Sequence, residues 1–166
     1  MDVVDDMADA LEASLRAVGT AHRAEGQKAY LKSDLEFTGT LNSAVRAEVI
    51  RLDRELGLDH DRLVSLLEHL WRRPVFERRL AAAFLLQRNT ALLTRADLGL
   101  IERLVRTSRT WALVDELTVH VLGRLVNCGP GRGLARDGPM GDRRGLLGAP
   151  VVAARRAPAD PQRSRP

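Results

Sequence analysis

Apolar side chains recur every three or four positions through residues 1–127, and strict two-residue alternation is scarce. That spacing lines one side of an α-helix, so this stretch reads as a string of helices. Met7, Leu11, Leu15 and Val18 form a first stripe, which stops at Gly19. A second helix is expected from about Ala21 to Leu31, followed by a polar, turn-like interval from Lys32 to Leu41. Asn42 or Ser43 is suited to cap a third helix, which carries Val45, Val49, Leu52 and Leu56 and ends at Gly57. Asp59 or Asp61 opens a fourth, with Leu63, Leu66, Leu67 and Leu70. Pro74 suits the first turn of a fifth, which runs through Phe76, Leu80, Ala83, Phe84 and Gln87. Thr94 and Asp97 have capping-box spacing ahead of a sixth helix with Leu98, Ile101, Leu104 and Val105. Ser108 is suited to cap a seventh, with Leu113, Val114, Leu117, Val121 and Leu125.

Helices joined by short connections pack as antiparallel pairs, so the expected class is all-α. Periodicity alone leaves two architectures open, a plain bundle or an α-solenoid of HEAT-like pairs. Only the solenoid offers a concave groove for an extended polymer.

The pattern breaks after Val126. Residues 128–166 hold 7 of the 13 Gly and 6 of the 7 Pro, with eight Arg and three Asp. Such a segment cannot bury a core, and an irregular, disordered basic tail is expected there. The division changes the meaning of the formal net charge of +4. The tail carries +5 and residues 1–127 carry −1, so bulk charge does not mark the helical part as a nucleic-acid binder. Lys28 and Lys32 are the only lysines against 24 Arg, as in a GC-rich gene. In such a gene a frame shift near Val126 would produce a tail of this composition.

Several chemistries are set aside. There is no Gly-rich phosphate loop and no paired-His metal spacing, so no cofactor and no metal are expected. His22, His60, His69 and His120 are scattered and read as surface or half-buried side chains. The lone Cys128 excludes an internal disulfide framework. The longest apolar run, Leu80 to Leu86, is short of the ~18 residues of a membrane span. The acidic start MDVVDDMADA is unlike a secretory signal. A soluble cytoplasmic protein is expected, with no membrane partner.

Two constellations remain. Trp111 and Asp115 stand four apart, on one face of the seventh helix and at the edge of its apolar stripe. An aromatic ring beside a carboxylate suits a cation, or positive charge developing at a sugar carbon. On spacing alone it better suits a core-edge Trp beside a solvated Asp. Arg72, Arg73, Arg78, Arg79 and Arg88 cluster around Pro74 and Phe76, where they suit backbone phosphates. On composition alone they better suit a solvated face with partners such as Glu68 and Glu77.

Tyr30-Leu31-Lys32-Ser33, then Phe37-x-Gly39 and Arg46, resembles the Tyr-Met-Lys, Phe-x-Gly and Arg signature of the AlkD-like DNA alkylation-repair proteins. Thr110-Trp111-Ala112-Leu113-Val114-Asp115 is similar to that family's Ser-Trp-Trp-Asp-x-Val-Asp segment, shortened and with Ala112 at one family position. Phe76 to Ala81 is similar to its Arg/Glu-rich helix start. The resemblance covers residues 25–126. It implies an α-solenoid of HEAT-like pairs around duplex DNA containing alkylated purines. It implies hydrolysis of the N-glycosidic bond of cationic N3- and N7-alkylpurines. Trp111 would pack on the lesion-bearing nucleotide and Asp115 would stabilise the sugar cation. Tyr30, Lys32, Arg46, Arg72, Arg73, Arg78 and Arg79 would contact DNA. The counterpart of the family's later arginine falls at Pro150, in the tail, so a C-terminally shortened or frame-shifted domain is expected. Two functional readings therefore stand: a DNA glycosylase, and a non-catalytic HEAT-like module that binds DNA or a protein.

Overall fold

A computed structural model describes residues 3–123 and Leu125. All of them belong to one compact unit, Met1–Arg136. The Gly/Pro/Arg-rich tail and Cys128 lie outside the described residues. Seven α-helices follow in order: α1 Val3–Val18, α2 Ala21–Leu31, α3 Asn42–Leu56, α4 His60–Arg72, α5 Phe76–Arg88, α6 Leu98–Arg106 and α7 Trp111–Leu117. A π-helical turn, Thr118–Leu122, continues α7. No strand occurs among the described residues, where an isolated parallel bridge joins Glu36 and Val75. The odd-numbered helices stack one on the next, α1 on α3, α3 on α5 and α5 on α7, while α4 packs across α1 and α5. Stacking of alternate helices is the solenoid arrangement, and it decides the choice that periodicity left open.

The helix bodies follow the apolar stripes, and three of the starts differ from expectation. Leu41, not Asn42 or Ser43, is the N-cap of α3. Pro74 precedes the N-cap of α5, Val75, rather than opening its first turn. The backbone bridge to Glu36 fixes that start: Glu36 N donates to Pro74 O and Phe76 N donates to Glu36 O, both at 2.8 Å. Ser108 does not cap α7. Its hydroxyl donates back to Leu104 O in α6 at 2.8 Å, and Thr110 is the N-cap. Asp59 does cap α4, accepting from Arg62 N at 2.8 Å. The Thr94–Asp97 capping box forms, closing a 3₁₀ turn that leads directly into α6.

α5 is the central post. Every residue from Phe76 to Leu86 is buried. Ala81, Ala82 and Ala83 let neighbouring helices approach closely on several sides, while Leu80, Phe84, Leu85 and Leu86 fill the spaces between them. The α2–α3 loop is tied to the start of this post. Phe37 stacks on Phe76 with centroids 5.0 Å apart. The buried Glu77 carboxylate accepts from the backbone N–H groups of Thr38 at 2.9 Å, Gly39 at 2.9 Å and Thr40 at 3.3 Å. Gly39 has φ +75, and a Cβ there would meet Thr20 O at 2.1 Å, so only glycine lets this loop close against the α1–α2 turn. The Phe-x-Gly part of the sequence signature is therefore a folding feature. Glu77, expected to pair with surface arginines, instead organises a loop from within the core.

Candidate functional site

The α2–α3 loop and the α6–α7 turn meet, and their junction places two aromatic side chains together. Lys32 ends α2 in the left-handed conformation at φ 48, and Arg109 precedes α7 at φ 58. Ser33 Oγ donates to Arg109 O at 3.0 Å, and Arg109 returns an ion pair to Asp34 at 3.0 Å. Behind them Arg79 donates to Thr107 O at 2.7 Å and Trp71 Nε1 donates to Thr107 Oγ1 at 2.9 Å. The two left-handed non-glycine residues among the described residues thus sit on facing connections, held by buried donors. Strain of this kind persists where the surroundings over-determine it.

Tyr30 and Trp111 emerge from this junction. They are 72% and 52% exposed, with ring centroids 6.0 Å apart at an interplanar angle of 71°. Trp111 is the first residue of α7, and Asp115 follows one turn later on the same face. Asp115 is exposed, and among the described residues no hydrogen bond or ion pair engages its carboxylate. Leu113, Leu117 and Val121 carry the buried stripe of this helix, while Val114 is half-buried. The arrangement offers a flat apolar edge, a free anion and open access, which suits a cationic, planar ligand.

The other proposed contacts separate. Lys32 is exposed and, like the neighbouring Lys28 one turn earlier, has no partner among the described residues. Sequence reasoning did not single out Lys28, although its spacing from Lys32 was available. Arg46 lies against Phe84 and Gln87 of α5, facing Glu116 of α7 at 3.8 Å. Arg72 is exposed beside His69, and Arg73 is exposed but bonded to Glu12 at 3.1 Å. Arg78 and Arg79 are not presented to solvent, which corrects their reading as phosphate contacts. Arg78 is 2% exposed and donates to Glu12 at 2.6 Å and Asp9 at 2.9 Å. Burial pulls the Arg79 guanidinium below its ordinary range, and the nearby Arg109 charge adds to this. Both arginines serve the packing of α1, α4 and the α6–α7 turn. Arg88, at the far end of α5, pairs with Asp53 at 3.0 Å.

Two of the histidines sit beside carboxylates. His60 lies between Asp61 and Asp97, and His69 contacts Asp5. Among the described residues, no group of three or more His, Cys, Asp and Glu side chains is placed to hold a metal ion. No helix there is long and apolar enough to cross a membrane.

The fold and this edge define a helical-repeat protein with an exposed aromatic and acidic surface. The family model for DNA alkylation repair enzymes matches residues 11–132, which take in every element from the middle of α1 onward. The chain belongs to that family, whose work is DNA alkylation repair. No curated protein matches the chain.

Proposed function

We propose that the chain acts in DNA alkylation repair as a glycosylase, hydrolysing the N-glycosidic bond of N3- and N7-alkylated purines in duplex DNA. The observation that carries this reading is the free carboxylate of Asp115, one helical turn from the exposed ring of Trp111. An alkylated purine already bears positive charge and leaves as a neutral base, so no general acid is needed. Cleavage of the C1′–N bond moves positive charge onto the sugar. Asp115 stabilises that charge, and its carboxylate orients the water that adds at C1′ and takes the water's proton. Trp111, with Tyr30 behind it, lies along the lesion-bearing nucleotide. Lys32 contacts backbone phosphates, and Arg46, Arg72 and Arg73 extend the contact surface. The base need not enter a closed pocket, which suits an edge as open as this one.

Incubation with a duplex containing one N7-methylguanine tests the reading. Free N7-methylguanine is the expected product. Binding of the duplex without release of base would favour the second reading, a non-catalytic module on DNA. Neither binding nor release would overturn both DNA readings.

A further inference from the structure

Arg46 reaches from α3 across α5 toward α7. Its guanidinium lies 3.7 Å above the centroid of the Phe84 ring, and one Nη donates to Gln87 Oε1 at 3.2 Å. The other Nη stands 3.8 Å from Glu116 Oε1, longer than a hydrogen bond. The ring face and the Gln87 amide fix the plane of the guanidinium without neutralising it. Arginine has five N–H donors in that plane, and among the described residues Gln87 takes the one hydrogen bond Arg46 donates. The side chain is 39% exposed, so its remaining donors can reach a phosphate.

Glu116 directly follows Asp115 on α7. Its Oε2 is buried and has no hydrogen-bond partner among the described residues. His120 Nε2 is 4.0 Å from that oxygen. The exposed Arg62–Asp59 pair is also 3.8 Å apart, but Arg16 closes on Glu12 at 2.8 Å, Arg51 on Glu55 at 2.8 Å and Arg88 on Asp53 at 3.0 Å. The Arg46–Glu116 pair stands open by comparison. Glu116 reduces the field of Arg46 while leaving its donors free.

We propose that Glu116 is a positioning residue that tempers the phosphate contact of Arg46. A phosphate docked on Arg46 brings a second anion up to a carboxylate that already lacks a donor. Each binding event then works against Glu116, and the hold on undamaged backbone is weakened at that point. This inference rests on the DNA reading above and adds a determinant of affinity to it.

The test is equilibrium binding of the full chain to an unmodified, labelled duplex across a salt series. Wild type, Glu116→Gln, Arg46→Gln and the double variant are compared, with folding of each checked by circular dichroism. Glu116→Ala serves as a second variant with the same expectation. Glu116→Gln is expected to bind about two- to five-fold tighter, the scale of one exposed ion pair. Arg46→Gln is expected to bind more weakly and to lose about one unit of salt slope. In the Arg46→Gln background, Glu116→Gln is expected to change nothing. An equal gain in that background would assign the effect to general charge and overturn the inference. So would unchanged or weaker binding by both Glu116 variants in the wild-type background. Absence of duplex binding by all of the proteins would overturn the DNA reading itself.

Discussion

The rings of Trp111 and Tyr30 meet at a steep angle with their centroids 6.0 Å apart, joining the C-terminus of α2 to the first residue of α7. These side chains are 81 positions apart in the chain, and both remain largely in solvent. Two exposed rings in contact with each other fit the proposed contact with DNA. Trp111→Ala is expected to weaken binding of alkylated duplex and to slow base release about ten-fold, the scale of one aromatic–base stack. Its thermal stability is expected to change little, because the ring is exposed. Binding titrations and melting curves on the same preparation check both halves.

Glu77 carries the opposite kind of role. Its carboxylate collects three backbone N–H groups of the loop that follows Phe37. Glu77→Ala leaves these donors buried without an acceptor. The expected loss is about 3 kcal/mol or more, read from urea denaturation. Glu77→Gln keeps the shape and one acceptor oxygen, and is expected to fall between the two.

Arg78 and Arg72 separate stability from binding. Arg78 lies inside, bonded to Glu12, and Arg72 lies outside. Burial tends to raise the Glu12 carboxyl, but hydrogen bonds from Arg16, Arg78 and Arg73 bring it below its ordinary value. Arg78→Ala removes one of those partners and is expected to cost about 3–5 kcal/mol, as for other buried pairs broken on one side. Arg72→Gln is expected to leave denaturant midpoints nearly unchanged and to affect DNA affinity alone.

The same physics explains how much of the molecule was legible in the sequence. Helix bodies were readable because each must bury an apolar stripe, and Leu63, Leu66, Leu67 and Leu70 do so as spaced. Trp111 and Asp115 could be placed on one face from helical geometry alone. Helix starts were less legible where tertiary contacts decide among several plausible caps, as the Glu36–Val75 bridge does for α5. The arginine cluster misled because charge in a sequence does not say which side of a helix faces the core. Arg78 and Arg79 stand on a stretch of α5 buried on every side, where Arg78 pairs with Asp9 and Glu12 and Arg79 donates to the Thr107 carbonyl. The roles of Glu77 and Glu116 depend on contacts 37 or more positions away, beyond any local pattern.

His60 gives the fold a pH dependence. Its two ring nitrogens lie 3.0 Å from Asp61 and 3.0 Å from Asp97. Hydrogen bonds to Asp61, then to Asp97, raise its pKa above the ordinary 6.5. A raised histidine pKa stabilises the fold at pH below the unfolded value, and that contribution disappears as pH rises through the folded value. For Asp97, burial works upward, but bonds from Thr94 and His60 bring its pKa below the ordinary 3.8. Its contribution is present above that value and is lost as pH falls through the lower folded one. The melting temperature is therefore expected to decline on raising pH through neutrality. His60→Gln is expected to flatten that decline in melts recorded between about pH 5 and pH 9.

In the proposed reaction Asp115 stabilises the sugar cation formed when an alkylated base departs. Single-turnover release of N7-methylguanine from a duplex, with wild type and Asp115→Asn compared at saturating protein, tests it most directly. The expected result is a fall of about 100-fold or more in the release rate, the scale of losing one electrostatic stabiliser, with duplex affinity retained. Equal rates for the two proteins would contradict it.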